Sequence, residues 1–291
     1  MGSAMDGSSR DRRLLTGLLL APTAACYVLL LVLPLVVVFV FSLGERAPAG
    51  GYAPAITLAQ FANLPARWTA FRNTLILAPV GTVACLAIAY PLAYFLVLRT
   101  SARWRTTLLV LVILPFWTSF LIRTYAWIYL LGGRGIPALL AFFGLDDVRL
   151  INTPGAVLIG IVYGYLPLMV FPIYVSLERL DKRLLEAASD LGANPLRRFL
   201  HVTLPLSAPG IVTGCMLVFI LLMGEYLIPA LLGGGKVFFV GNALVDLFLQ
   251  SRNWPFGAAV ALTLVAVMLA VVTLYLRLTL RNPLARQDSV L

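Results

Sequence analysis

Side chains able to do nucleophilic, acid–base or metal chemistry are few in this chain, and they are not clustered. Its 291 residues include one histidine and three cysteines. Cys26, Cys85 and Cys215 each lie inside an apolar run, and none is closely spaced to another or to His201. This spacing predicts neither a zinc site nor a disulfide framework. We expect no catalytic residue, no metal and no cofactor, so the chain is not expected to be an enzyme.

A glycine cluster, Gly233–Lys236, has a weak likeness to a phosphate-binding loop. Val237 follows where Ser or Thr should bind magnesium, and Ala230 stands where the first glycine of such a loop belongs. The cluster is therefore not expected to bind a nucleotide. Any ATP hydrolysis linked to this chain must take place in a separate subunit.

Two ionisable residues, Arg123 and Glu225, lie inside apolar runs, at similar depth in the outer half of their predicted spans. A charge inside a bilayer costs at least ~2.5 kcal/mol on insertion scales and normally faces a bundle interior or an aqueous cavity. One interpretation is structural: the two form a salt bridge, or the arginine reaches the outer headgroups. The other makes Glu225 a transient anion for a cationic solute, helped by the rings of Trp127 or Tyr226. The sequence leaves both interpretations open.

Long apolar helices must position these residues. The chain is 61% hydrophobic and 12% charged, a composition typical of a membrane protein. About 20 mostly apolar residues are needed to cross a bilayer as a helix. Six runs meet or nearly meet that length: 14–43, 71–98, 106–131, 154–177, 208–232 and 255–277. The predicted fold class is therefore all-α integral membrane, with six transmembrane helices in a lipid bilayer.

The basic residues indicate the orientation of these spans. The net charge of +10 is scattered between apolar runs, which argues against a nucleic-acid partner. One side of the predicted membrane carries fourteen Lys or Arg residues: Arg10, Arg12, Arg13, Arg99, Arg103, Arg105, Arg179, Lys182, Arg183, Arg197, Arg198, Arg277, Arg281 and Arg286. The other side carries seven: Arg46, Arg67, Arg72, Arg134, Arg149, Lys236 and Arg252. The positive-inside rule predicts that both termini, as the tails 1–13 and 278–291, are cytosolic.

Turn-forming residues lie in and between the spans. The outer loops 44–70, 132–153 and 233–254 contain Gly and Pro clusters, which predict turns and flexible connections able to face a partner outside the cell. Five prolines are predicted to interrupt spans: Pro34, Pro91, Pro115, Pro167 and Pro172. Such interruptions suit a path that opens, and they suit a static anchor equally.

A polar segment, residues 178–206, separates the fourth and fifth spans on the cytosolic side, and we call it the hairpin. Asp181 is suited to cap a first helix with Leu184, Leu185, Ala188 and Leu191 on one stripe, and Gly192 is suited to the left-handed residue that ends it. Asn194-Pro195 then predicts the N-cap and first residue of a second short helix, with Leu196, Phe199 and Leu200 clustered. Two short helices at an angle form a compact knob that a partner could grip.

The residue spacing of this hairpin resembles the EAA loop of ATP-binding-cassette importer permeases. Glu186-Ala187-Ala188 is followed by Gly192, then by Val202 where isoleucine is usual, and then by Leu204-Pro205. The resemblance implies that the hairpin is a coupling helix that inserts into a cleft on an ATP-binding-cassette ATPase subunit. By this resemblance Glu186, Ala187 and Ala188 line the contact and Gly192 supplies the turn.

Further segments narrow the resemblance to the PotB-like spermidine/putrescine permease branch of the MetI-like superfamily. They are Tyr90–Phe95, Leu121–Trp127, Pro229–Gly234 and Asn253–Ala259. The resemblance implies a five-helix MetI-like core at 68–277, preceded by a peripheral first helix at 14–43. It also implies a second related permease subunit as heterodimer partner, an extracytoplasmic solute-binding protein, and a location in the bacterial inner membrane.

Three alternatives to polyamine import by such a complex follow from the sequence. The first is import of another small organic solute by the same class of complex, because an external binding protein would largely set selectivity. The second is an ion-coupled secondary carrier, for which intramembrane charges are equally expected but the hairpin is not. The third, an intramembrane enzyme, is disfavoured because His201 is predicted to lie in the cytosol.

Overall fold

The computed structural model describes residues 16, 19–145 and 148–280, and side chains as far as residue 277. Helices dominate the described part of the chain. The α-helices are α1 (Leu33–Ser42), α2 (Ala59–Ala62), α3 (Trp68–Tyr94), α4 (Ala102–Ile113), α5 (Phe120–Leu131), α6 (Ile136–Phe142), α7 (Pro154–Glu178), α8 (Lys182–Asp190), α9 (Pro195–Arg198), α10 (Leu204–Leu206), α11 (Ala208–Met223), α12 (Leu227–Leu232), α13 (Val240–Val245) and α14 (Trp254–Leu280). Two strands, β1 (Glu45–Arg46) and β2 (Tyr52–Ala53), pair antiparallel.

Shorter helical turns extend or join several of these elements. The π-helical turns are Val28–Val32, Phe95–Arg99, Phe199–Thr203 and Asp246–Gln250, and the 3-10 turns are Leu64–Arg67 and Leu114–Trp117. With them, the described residues contain five helices long and apolar enough to cross a membrane, and six when the bent pair Pro195–Leu206 and Ala208–Met223 counts as one span. The prediction of an all-α integral membrane protein with six spans is confirmed.

The first of these spans covers Leu19–Ser42. Predicted residues 14, 15, 17 and 18 of this run lie outside the described residues, as do the tails 1–13 and 281–291. Helix α14 continues to Leu280, three residues past the predicted end of the sixth span, and the cytosolic tail from residue 278 stays a prediction. The apolar run Leu278-Thr279-Leu280 carries no helix breaker, so the helix extends beyond Arg277.

Contacts divide the chain into two compact units, residues 1–66 with 246–263, and residues 67–245 with 264–291. In the first unit the β1–β2 strand pair lies beside the turn that precedes α14. The Phe41 ring stacks on Tyr52 at 4.6 Å and on Trp254 at 6.2 Å between ring centroids. Arg46 donates to the carbonyl of Ser251 at 2.7 Å. The aromatic stack and this bond fix the loop that the sequence predicted only as flexible.

In the second unit α3, α7 and α11 pack against one another around glycines. A methyl group at Gly81 would lie 2.9 Å from Ile161 and 3.2 Å from Leu222, one residue on each of the other two helices. A methyl group at Gly214 would lie 2.8 Å from the sulfur of Met169. Because these positions lack a side chain, the helix backbones approach closely, as small residues allow in membrane bundles. This three-helix core supports both regions described below.

Two of the predicted spans are broken. The third run, 106–131, gives α4 and α5 with a 3-10 turn and the extended residue Thr118 between them, because Pro115 cannot continue an α-helical ladder. The fifth run, 208–232, was predicted as continuous, and this is wrong. Helix α11 ends at Met223, and α12 begins at Leu227 after the segment Gly224–Tyr226.

The third outer loop, 233–254, also differs from its prediction. Gly234 and Gly235 adopt positive φ values of 55° and 74°, as a turn requires. The residues after this turn form α13 and a π-helical turn, and Phe239, Val240 and Ala243 are fully buried. The part of the loop that ends at Val245 is therefore a packed helical segment, because its apolar residues are buried within the second unit.

Candidate functional site

The hairpin begins with a capped helix, as predicted. The side chain of Asp181 accepts a hydrogen bond from the backbone N–H of Arg183 at 2.9 Å and so caps α8. Such a cap satisfies one of the free amides at a helix start and contributes about 1 kcal/mol. Helix α8 carries Glu186, Ala187 and Ala188, and the first two side chains are exposed.

The turn between the two short helices is centred on Gly192, whose φ is +79°. The N–H of Ala193 donates to the carbonyl of Ala188 at 2.9 Å, and that of Gly192 donates to Ser189 at 2.9 Å. These two bonds define the Schellman motif that ends helices in a left-handed residue. A side chain at Gly192 would meet no atom within 4 Å, so its conformation, not crowding, requires glycine.

The second helix, α9, is also capped as predicted. The side chain of Asn194 accepts from the N–H of Arg197 at 2.8 Å, and Pro195 occupies the first helical position. Helix α9 continues through the π-helical turn Phe199–Thr203 into α10, which contains Leu204 and Pro205. The hairpin then enters α11 with a bend of 62°.

Apolar side chains project from the tip of the hairpin. Leu191 is 87% exposed and Leu196 is 65% exposed, and they lie on either side of the Gly192 turn. The predicted stripe on α8 is largely uncovered too, since Leu184 is 47% exposed. Exposed leucines in a polar segment, outside the apolar runs, are typical of a protein-binding surface.

The base of the hairpin is fixed to the spans by one aromatic ring. Phe199 lies edge-on to Tyr90 at 5.7 Å and to Tyr94 at 6.0 Å, and both tyrosines belong to α3. The Tyr90 hydroxyl is 2.9 Å from the hydroxyl of Ser207, which lies between α10 and α11. The base of the hairpin therefore contacts both α3 and the segment that leads into α11.

A cleft of about 370 Å³ separates the hairpin from the end of α3. Its lining includes three basic residues and two aromatic rings among ten residues: Tyr94, Leu98, Arg99, Lys182, Leu185, Glu186, Pro195, Arg198, Phe199 and Thr203. Arg198 donates to the hydroxyl of Ser189 at 2.7 Å and so joins the second half of the hairpin to α8. Glu186, the first residue of the EAA-like motif, thus lies at the edge of this cleft.

The start of the hairpin is held by an ion pair. Arg105 on α4 lies 3.8 Å from Glu178, the last residue of α7, and donates to the carbonyl of Val97 at 2.9 Å. The Tyr174 hydroxyl donates to the same carboxylate at 3.1 Å. These contacts join the ends of three spans directly beside the hairpin.

Glu225 lies at the break in the fifth span and is 7% exposed. Its carboxylate accepts hydrogen bonds from the N–H groups of Leu227 at 2.8 Å and Ile228 at 3.1 Å, and from the hydroxyl of Tyr165. The carboxylate therefore caps α12 and complements the positive end of that helix. No ion pair joins Glu225 to Arg123 within the described part of the chain.

The break is supported by residues that the sequence did not single out. Asn242 donates to the carbonyl of Tyr226 at 2.7 Å and accepts from the N–H of Phe239 at 3.1 Å. A methyl group at Gly241 would lie 2.5 Å from the carbonyl oxygen of Glu225, so α13 approaches the break very closely. An amide and a glycine inside an apolar stretch were the only sequence signals, and neither identifies a partner.

Arg123, on α5, is 8% exposed. Its guanidinium carbon lies 5.7 Å from the centre of the Phe116 ring and 5.4 Å from that of Phe120. Among the described residues the arginine does not pair with Glu225, and π faces are its neighbours. Of the two rings predicted to assist Glu225, Trp127 packs edge-on against Tyr163 at 5.5 Å, and Tyr226 is 47% exposed beside the break.

Helical spans, a capped hairpin between the fourth and fifth of them, and two broken spans with a buried charge at or near each break define a class of protein: a polytopic membrane transport subunit. The chain belongs to the family described as the binding-protein-dependent transport system inner membrane component, whose model matches residues 12–281.

Individual relatives are consistent with this family. The chain is 43% identical over 250 residues to the spermidine/putrescine transport system permease protein PotB of Haemophilus influenzae, covering 84% of this chain and 87% of that protein. It is 40% identical over 255 residues to PotB of Escherichia coli, covering 86% and 92%. A crystal structure of a bacterial ABC transporter involved in the import of the acidic polysaccharide alginate has the same fold, with a TM-score of 0.75, 18% identity and coverage of 95% and 98%.

Proposed function

We propose that this chain is the membrane-spanning permease subunit of an ATP-binding-cassette importer for polyamines such as spermidine and putrescine. The observation that carries the proposal is the hairpin, a rigidly capped knob with exposed leucines at its tip and an aromatic anchor at its base. A lone carrier has no use for such a knob. Identity of 40–43% to spermidine/putrescine permeases over most of the chain supports the polyamine class.

Three protein partners belong to this proposal. An ATP-binding-cassette ATPase grips the hairpin through Glu186, Ala187 and Ala188, with the Gly192 turn at its tip. A second, related permease forms the other half of the membrane path. An extracytoplasmic solute-binding protein delivers the solute, and a structure of the related alginate transporter in complex with its periplasmic protein supports this arrangement.

The excess of basic residues around the hairpin and the two termini supports a cytosolic location for the hairpin and for both termini. The proposed MetI-like core is residues 68–277, with the first span, predicted at 14–43, as an added peripheral helix. Polyamine import also gives Arg123 and Glu225 separate tasks near the path. The chain itself hydrolyses nothing.

The proposed mechanism is alternating access driven through the hairpin. Closure of the ATPase upon ATP pushes the knob, and Phe199 passes this movement to α3 through Tyr90 and Tyr94. The bond between Tyr90 and Ser207 and the 62° bend pass it to α11. Because α3, α7 and α11 are tightly packed around glycines, they move as a body and do not deform locally.

The test uses the Gly192 turn. In Gly192→Val a β-branched residue must adopt a positive φ, which costs about 1–2 kcal/mol or more and distorts the turn. We expect Gly192→Val to insert into the membrane normally but to lose most ATPase binding and spermidine uptake. Gly192→Asn, which tolerates the left-handed conformation, is the matched control and is expected to retain uptake. Normal uptake by the valine variant contradicts the coupling role.

The importer class has its own measurement. An ATPase subunit and a second permease are expected to copurify with this chain from mild detergent. Purification of the chain without either partner contradicts the proposal and favours an ion-coupled carrier.

A further inference from the structure

The strongest unexplained feature of the second unit is the guanidinium of Arg123. Its Nε and Nη1 atoms are buried and have no hydrogen-bond partner among the described residues. A guanidinium normally directs five N–H donors at acceptors, and leaving buried donors unpaired is unfavourable. Here two ring faces, those of Phe116 and Phe120, replace the acceptors. The cation is therefore held by π faces, and no carboxylate of the described residues pairs with it.

The aromatic contacts continue beyond Phe120. Its ring lies edge-on to Tyr165 at 6.2 Å, and the Tyr165 hydroxyl donates to Glu225. A cation and a carboxylate are thus connected by two aromatic rings, Phe120 and Tyr165. The cluster lies where both broken spans are interrupted, at 114–119 and 224–226. Interrupted helices of this kind line solute sites in other transporters.

We propose that Phe116 and Phe120 form a binding site for an alkylammonium group of the solute, and that Arg123 occupies this site when no solute is present. Aromatic faces bind ammonium and guanidinium cations by the same electrostatic attraction. Phe116 is 40% exposed, so the site is open on one side. Glu225 accepts a hydrogen bond from Tyr165, whose ring packs edge-on against Phe120. The proposal rests on the polyamine function above.

The advantage of this arrangement is electrostatic. A passing ammonium group replaces Arg123 between the rings, so one cation is exchanged for another and the site never gains a second positive charge. The displaced guanidinium regains hydrogen bonds once the path admits water. In the empty state the arginine closes the aromatic site to small cations. An intramembrane arginine is thereby compatible with a path for cationic solutes.

The experiment measures amine binding to the purified complex in the absence of the solute-binding protein. Radiolabelled spermidine is the probe in equilibrium dialysis, and three forms are compared: wild type, Arg123→Gln, and Arg123→Gln combined with Phe116→Leu and Phe120→Leu. We expect Arg123→Gln to bind spermidine at least about tenfold more tightly than wild type. The triple variant is expected to lose this gain.

Two results overturn the proposal: Arg123→Gln binds no more tightly than wild type, or the triple variant binds as tightly as Arg123→Gln. The first result assigns Arg123 to another task, such as bonding an acceptor on the second permease, and the second places the amine site away from Phe116 and Phe120. Where Arg123→Gln does not assemble, the single variant Phe116→Leu tests the proposal. We expect it to raise the KM for spermidine uptake at least about threefold, and an unchanged KM overturns the proposal.

The same preparations separate this inference from the proposed function. The amounts of ATPase and second permease that copurify with each form report on the importer assignment. Their presence together with unchanged spermidine binding refutes only the aromatic site. Their absence from the wild-type preparation refutes the importer, whatever the dialysis shows.

Discussion

Replacement of Glu225 distinguishes a structural carboxylate from one that serves the solute. In the structure its two oxygens accept hydrogen bonds from two backbone N–H groups and from the Tyr165 hydroxyl. Glu225→Gln preserves the shape of the side chain and one full acceptor, and the hydroxyl of Tyr165 can accept from the new amide group. Glu225→Ala removes every acceptor at once. The contrast between the two variants therefore isolates the hydrogen bonds from the charge.

The magnitudes follow from these three bonds. A hydrogen bond to a charged group contributes about 1.5–3 kcal/mol and a neutral one about 0.5–1.5 kcal/mol, so Glu225→Gln loses about 3 kcal/mol of charge assistance. Neutralisation also removes the several kcal/mol needed to bury an ion, which offsets much of this loss. We expect a net change of about 2 kcal/mol or less. Glu225→Ala leaves three donors unpaired at about 1–3 kcal/mol each, at least about 3 kcal/mol in total.

The assay is thermal unfolding of the purified complex in detergent, with uptake of spermidine measured in parallel. We expect Glu225→Gln to assemble and to retain uptake, and Glu225→Ala to unfold at a clearly lower temperature and to assemble poorly. Tyr165→Phe is the control that removes one donor and keeps the ring against Phe120. If Glu225→Gln assembles and unfolds like wild type but takes up no spermidine, the charge acts on the solute and the capping argument fails.

Two further predictions concern packing and coupling. Gly210→Val places its Cβ 2.5 Å from the carbonyl oxygen of Pro172. We therefore expect at least about 1–3 kcal/mol of destabilisation and little accumulation of this variant in the membrane. The control is Gly155→Ala, which we expect to accumulate normally, because the new Cβ would meet only a hydroxyl at 3.6 Å within 4 Å. Equal accumulation of the two variants contradicts the tight α7–α11 crossing. Phe199→Ala loses two edge-on ring contacts, each worth about 0.5–1.5 kcal/mol. We expect this variant to take up less spermidine while the ATPase stays bound. The control is Leu200→Ala, which changes an exposed side chain and is expected to behave like wild type. Uptake by Phe199→Ala at the wild-type level contradicts the transmission path.

Local rules predicted the hairpin well. Asp181, Asn194 and Gly192 adopt the predicted cap and turn conformations. A cap depends on one side chain and the amides two or three residues away, so the residues that form it are close together in the sequence. The six apolar runs were recognised for a similar reason, because the ability of a helix to cross a bilayer depends on the length and apolarity of that one segment.

Long-range contacts were not predictable in the same way. The break at Gly224–Tyr226 depends on Tyr165, Asn242 and the close approach of Gly241, which come from other elements. Sequence patterning treats such a segment as one continuous apolar run. Likewise, the segment 233–254 contains turn residues and apolar residues, and only its burial shows that it folds back as a packed helix.

The sequence by itself determined the class of this protein: a helical membrane chain, an uneven distribution of basic residues between the two sides of its spans, and a capped hairpin whose spacing resembles a coupling loop. These properties depend on local conformation and on transfer from water to lipid, and both act on short segments. Only the tertiary structure decided which groups meet Arg123 and Glu225. The partners of a buried charge depend on how distant elements pack. Here Arg123 lies against two aromatic rings, and Glu225 lies at the start of helix α12.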